Sequence, residues 1–201
     1  MTINSILMSE IIGALRAGTK QHHDNVEAAM QSNQIMDKSL THEGFVRLLR
    51  INYLYMSALE HELSKRKEWF EGLNLDERLG KTANLKNDLE LYGVEIPTTE
   101  EFFADWSKAR LLGALYVGEG SSLGGQVIQR TLLSNENLRD IDKTLFYKGY
   151  AEQTGPMWKQ FMAYLETMPV EVTEIPEVVA GAQDAFGVMM QLGQRYELAK
   201  A

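Results

Sequence analysis

Apolar residues return along this chain at the spacing of one helix face. Phe45, Leu48, Leu49, Tyr53, Met56, Leu59 and Leu63 recur every three or four positions, with the polar Asn52 set into the same row. Period-two alternation, the mark of a half-buried strand, is scarce. The pattern predicts an all-α chain with helices near 4–31, 42–70, 75–92, 99–118, 120–133, 141–150, 156–167 and 174–199. Local chemistry marks several ends. Thr41 can cap the second helix through its hydroxyl. Gly93 can stop the third in a left-handed conformation. Thr98 and Glu101, directly after Pro97, read as a capping box. Gly155-Pro156 reads as a turn into a new helix, with proline tolerated in its first turn. No repeat, low-complexity tract or long linker interrupts the pattern, so residues 1–201 are expected to form one helical domain.

Composition narrows the function classes. Hydrophobic residues make up 44% of the 201 positions, a globular composition rather than a disordered one. The net charge of −8 argues against a uniformly basic nucleic-acid binder. The chain has no cysteine, which removes disulfides, thiolate ligands and a cysteine nucleophile. Asn4, Ser5, Ser9 and Glu10 interrupt the opening apolar residues, and the first basic residue is Arg16, so no secretory signal is expected. No run reaches the roughly 18 apolar residues of a membrane span. A cytoplasmic location is the expectation.

Two stretches call for more than core packing. In the first, Leu15 to Glu27, steps of about 100° per residue place Ile12, Leu15, Thr19, Val26 and Met30 on one apolar stripe. His22 and His23 fall on opposite flanks of that stripe, so periodicity does not choose between them. Arg16, Lys20, His23 and Glu27 share one side, and His22 faces away from them. A neutral imidazole is a common iron ligand. Cations beside it can hold a ligand's carboxylates, and a carboxylate one turn on can orient the ring. Solvated surface charges would produce the same pattern.

The second stretch, Gly113 to Ile128, holds Gly113, Gly118, Gly120, Gly124 and Gly125. Each glycine inside a helix costs on the order of 1 kcal/mol relative to alanine. Such a helix is kinked or closely approached by something. Gly113, Gly120 and Gly124 share one face, where bare backbone would admit a flat ligand or tight helix packing. No Gly-Lys-Ser/Thr follows, so the stretch is not a phosphate loop.

Together the two stretches resemble the haem oxygenase family. Leu15, Arg16, Thr19, His23 and Glu27 match its proximal-helix pattern Leu-Lys/Arg-x-x-Thr-x-x-x-His-x-x-x-Glu, a register that selects His23. Leu115 to Ile128 is similar to the distal helix, closest to that of bacterial members. Thr154-Gly155-Pro156-Met157-Trp158-Lys159 and Ala185-Phe186 are softer matches. The two main motifs lie in the family's order, about 90 residues apart. One departure stands at Ser121, where animal members carry an aspartate that holds a water network.

The resemblance implies haem lying between a proximal helix and a kinked distal helix. His23 would bind the iron and Glu27 would support it. Arg16 and Lys20 would hold the propionates, with Arg130 a third candidate and Lys159 a weaker one. Phe186 would pack beside the haem. Gly120, Ser121 and Gly124 would form the distal face where dioxygen reacts. The implied activity opens haem to biliverdin, carbon monoxide and ferrous iron, with electrons from a ferredoxin, a flavodoxin or another reductase. A non-catalytic haem carrier or sensor would share the same ligand and bases. A di-iron oxidase would need Glu-x-x-His pairs, yet Thr19, Lys20, Ser39 and Ala58 stand three residues before the four histidines.

Overall fold

The computed structural model describes residues 3–138, 140–167 and 171–197, with side chains from residue 10 onward. Among the described residues seven α-helices carry the fold: α1 (Ile3–Ala29), α2 (Ser32–Met36), α3 (His42–Lys65), α4 (Lys81–Leu91), α5 (Lys108–Leu132), α6 (Thr154–Thr167) and α7 (Ile175–Arg195). No strand occurs among the described residues.

The polar–apolar period places α3 at the centre. Phe45, Leu49, Ile51, Leu54, Tyr55, Leu59 and Leu63 are all buried on it. Its entry is set by Thr41, whose hydroxyl accepts from the Gly44 amide at 3.1 Å. The buried Arg47 donates to the carbonyls of Ala29, Gly193 and Tyr196, satisfying the C-terminal ends of α1 and α7 together. At the other end of α3, the Glu60 carboxylate accepts from the amides of Gly80, Lys81 and Thr82 and caps α4.

Two glycines let α5 and α7 cross backbone to backbone. A Cβ on Gly113 would lie 2.1 Å from the Val178 carbonyl oxygen, and one on Gly181 would lie 2.3 Å from that of Arg110. Helix α1 packs on α7 through side chains of α7 at Gly18, where the Val179 side chain lies close and Gln183 donates to the Gly18 carbonyl at 2.9 Å. The structure thus assigns Gly113 to helix packing.

Several elements differ from the periodicity reading. The expected helices 99–118 and 120–133 form the single helix α5, which starts at Lys108 with Ser107 as its cap. Thr98 and Glu101 begin no helix. Phe103 is drawn fully into the core, edge-on to Tyr55 at 5.3 Å and to Trp106 at 5.0 Å. Burying two aromatics from one short segment outweighs a local cap. The expected helix 75–92 starts at Lys81, after a 3-10 turn at Leu75–Glu77, and the expected helix 42–70 ends at Lys65 before a 3-10 turn at Lys67–Phe70. The expected helix 4–31 stops at Ala29, where Gln31 turns left-handed at φ 56°. Segment 141–150 forms short 3-10 turns, held because the Asp88 carboxylate accepts from the Leu145 and Phe146 amides. The last helix is helical to Arg195, and residues 198–199 of the expected range lie outside the described residues.

Candidate functional site

Between α1 and α5 lies a cavity of about 480 Å³, lined also by residues of α2, α3, α6, α7 and the 146–147 turn. The volume falls in the range of small-molecule sites, about 300–1,000 Å³. From α1 come Arg16, Thr19, Lys20, His23 and Glu27. From α5 come Tyr116, Val117, Gly120, Ser121, Gly124 and Ile128. Most of the remaining wall is apolar or aromatic, with Phe146, Tyr147, Trp158 and Phe186 among its residues, and Asp24, Ser32 and Asn52 are its polar members.

The structure separates the two histidines. His23 lines the cavity, with its ring edge-on to Phe186 at 5.9 Å and 81°. Its Nδ1 faces a Glu27 carboxylate oxygen 3.8 Å away, which leaves Nε2 for a ligand. His22 does not line the cavity, and its Nδ1 is buried without a hydrogen-bond partner. His23 is the only histidine in the cavity wall among the described residues.

The cations are distributed unevenly. Arg16 and Lys20 both line the cavity, from one edge of α1. Lys20 Nζ is already paired with Asp24 at 3.0 Å, in an exposed contact. Arg130 and Lys159 are exposed and lie outside the cavity wall. For Arg130 the reason is geometric: α5 stays helical to Leu132, so a residue six positions after Gly124 is turned about 120° from it. This departs from the expectation that Arg130 reaches the ligand.

On α5, Gly124 has nothing within 4 Å of where a Cβ would stand, and Gly120 has only the Trp158 ring, at 3.9 Å. Neither glycine is required by neighbouring protein atoms, in contrast to Gly113. The Ser121 hydroxyl donates to the Gly118 carbonyl at 2.7 Å, so its lone pairs remain for a donor from the cavity.

Three wall residues escaped the sequence reading. Tyr116 stands one turn before Gly120 on the same face. Burial raises its phenol pKa above the ordinary value, while the Arg16 charge and the Thr19 hydroxyl pull it down. Trp158 packs against Tyr116 at 5.8 Å. Asn52, the polar residue in the apolar row of α3, lines the cavity and donates to the Leu48 carbonyl at 2.8 Å. A polar side chain at a core position was the available signal.

An all-helical frame with a histidine on one wall of a largely apolar cavity and glycine backbone on the other defines a class of helical proteins whose cavity a flat ligand can enter between two helices. The comparisons with known proteins agree. The heme oxygenase family model matches residues 9–195. A heme oxygenase of Xanthomonas campestris is 30% identical over 72% of this chain and 85% of its own length. Heme oxygenase PigA of Pseudomonas aeruginosa is 27% identical over 88% of each chain. The heme oxygenase structure of Leptospira interrogans superposes with a TM-score of 0.76 at 19% identity, covering 92% of this chain and 98% of that one. Heme oxygenase-1 of Synechocystis, solved in complex with heme, gives 0.75 at 20% identity, covering 93% and 92%. This chain belongs to the heme oxygenase family.

Proposed function

We propose that this protein binds haem in the α1–α5 cavity and cleaves it oxidatively to biliverdin, carbon monoxide and ferrous iron. The observation that carries the proposal is the pairing of His23 on one wall with the uncovered backbone of Gly120 and Gly124 on the other. The residues fit the group: an apolar slot for the macrocycle, an imidazole for the metal and cations for two carboxylates. Haem supplies the iron at which dioxygen is reduced and the ring that is opened.

The chain's own residues supply position and exclusion. His23 would hold the metal through Nε2, with Glu27 favouring a proton on Nδ1. Phe186 holds the imidazole's edge. Arg16 anchors a propionate, and Lys20 joins it once released from Asp24. Gly120 and Gly124 leave room for dioxygen, and Ser121 offers its lone pairs to a water beside it. Electrons come from a ferredoxin, a flavodoxin or another reductase, in the cytoplasm. Among the described residues no helix is long and apolar enough to cross a membrane.

The second reading is a carrier or sensor that binds haem without turnover. Incubation with haem, a reductant and air separates the two. Loss of the porphyrin absorption with appearance of a bilin supports cleavage. An intact porphyrin spectrum over many equivalents of reductant supports the carrier.

A further inference from the structure

Behind the glycine face of α5 lies a second polar cluster, away from the cavity. Glu119, flanked by Gly118 and Gly120, is 2% exposed. Its Oε2 accepts from Arg78 Nη1 at 2.5 Å. Its Oε1 accepts from Lys81 Nζ at 2.9 Å and from the Tyr150 hydroxyl at 2.7 Å. Lys81 also donates to Tyr150, at 2.7 Å. Arg78, itself 3% exposed, spends its other donors on the carbonyls of Leu73 and Met157, both at 3.1 Å.

The donors of this cluster come from two separate parts of the chain. Lys81 opens α4, Arg78 lies just before it, and Tyr150 lies in the turn before α6. Met157 is on α6, immediately before Trp158, whose ring lies 3.9 Å from where a Gly120 Cβ would stand. Through Arg78, Glu119 on α5 is therefore tied to the Met157 carbonyl on α6, so the cluster joins from behind two neighbouring parts of the cavity wall, Gly120 and Trp158.

A glycine-rich helix is poorly suited to hold its own position, because it lacks the side chains that would wedge it. A buried ion pair with all its hydrogen bonds made is directional and resists displacement, since breaking it leaves charge unpaired in the interior. None of Glu119, Arg78, Lys81 or Tyr150 lines the cavity.

We infer that the Glu119–Arg78–Lys81–Tyr150 cluster is a positioning device that fixes the Gly120–Gly124 backbone and Trp158 at the distance the bound ligand requires. The inference rests on the haem-cleaving reading above, and its test has one arm that does not need haem.

The variants are Glu119→Gln, which keeps the shape and removes the charge, and Tyr150→Phe, which removes one hydrogen bond. The haem-free arm is amide hydrogen exchange of the apoprotein, read at residues 120–124 against the α1–α7 contact as internal reference. Selective acceleration at 120–124, by roughly tenfold or more, is expected in Glu119→Gln, with a smaller rise in Tyr150→Phe. The haem-loaded arm reads the ferric absorption spectrum and the bilin isomer ratio. A shifted spin-state balance and a change in isomer ratio of about fivefold are expected. A merely stabilising cluster would lower the melting temperature and leave both readouts as in wild type. Wild-type exchange at 120–124 in folded variants overturns the inference. So does acceleration without any change of spectrum or isomer ratio. Should Glu119→Gln not fold, Tyr150→Phe decides by the same criteria. Wild-type protein that fails to bind haem refutes the functional reading, and the exchange arm still decides whether the cluster positions the helix.

Discussion

Replacing Gly124 by leucine tests the open face of α5. In the structure a Cβ at this position meets nothing within 4 Å, so the protein itself has room for a side chain. Leucine also favours the helix over glycine by about 1 kcal/mol. For a chain of this size that gain corresponds to a melting temperature roughly 2–4 °C higher. The ligand is where the substitution should be felt. Four carbon atoms, each taking space comparable to a water's share of about 30 Å³, would fill about 120 Å³. That is about a quarter of a cavity of about 480 Å³. The expected outcome is a folded protein, unchanged or slightly more stable, whose turnover falls by about 100-fold, in line with displacement of reacting groups by about an ångström. Bilin formation under haem, reductant and air reads the turnover, and circular dichroism melting reads the fold. Gly124→Ala should fall between. Wild-type bilin formation by a folded Gly124→Leu protein would refute the close approach of ligand to α5. A leucine variant that unfolds would contradict the open space seen at this position.

His23→Ala should lose the histidine-ligated ferric haem spectrum and bilin formation, whereas His22→Ala should keep both; the opposite outcome reverses the assignment. Replacing Arg16 and Lys20 together by glutamine should weaken haem binding about tenfold or more, since each exposed contact is worth about 1 kcal/mol. Titration by absorbance checks this, and an unchanged affinity counts against both residues as anchors. Gly113→Ala should destabilise by about 3 kcal/mol or more, because its Cβ would stand 2.1 Å from a backbone oxygen that cannot move without α7. A melting temperature within a few degrees of wild type would show that α5 and α7 can separate at no cost.

The contrast between Gly113 and Gly124 shows where the sequence stopped being informative. Both lie on one face of one helix, and the spacing made them equivalent. What separates them is the partner: α7 backbone in one case and open cavity in the other, and tertiary contact is absent from a one-dimensional pattern. The helix around Phe45 to Leu63 was legible because nearly all its energetics is burial at a regular period. Residues 98–107 were misread because the capping signal at Thr98 is local, whereas the pull on Phe103 comes from Tyr55, some fifty positions away. His23 was separable from His22 through the charged residues on its side of the helix and through the family register, not through hydrophobic period, and the structure then set the two rings in different surroundings. Arg130 illustrates the converse, a residue named by family position that α5 carries past the site. Glu119 was invisible as a structural hub, since its partners at 78, 81 and 150 follow no period.

The choice between turnover and storage depends on what faces His23 across the cavity. A protein that stores haem gains affinity by closing the second axial position with a strong ligand. The side chains that α5 contributes to the wall are those of Tyr116, Val117, Ser121 and Ile128, beside the bare Gly120 and Gly124. Valine and isoleucine offer no donor atom. Ser121 has a neutral hydroxyl committed to Gly118. Tyr116 could bind a metal only as phenolate, and its burial raises the pKa of the phenol, which keeps it protonated at neutral pH. The two methionines in the wall, Met30 and Met189, lie at the end of α1 and on α7 rather than on α5. On the proposed haem-binding reading, the α5 wall across from His23 would offer the metal bare backbone and apolar groups rather than a strong second side-chain ligand, which would favour turnover over storage; an intact porphyrin spectrum after incubation with haem, reductant and air would refute that reasoning.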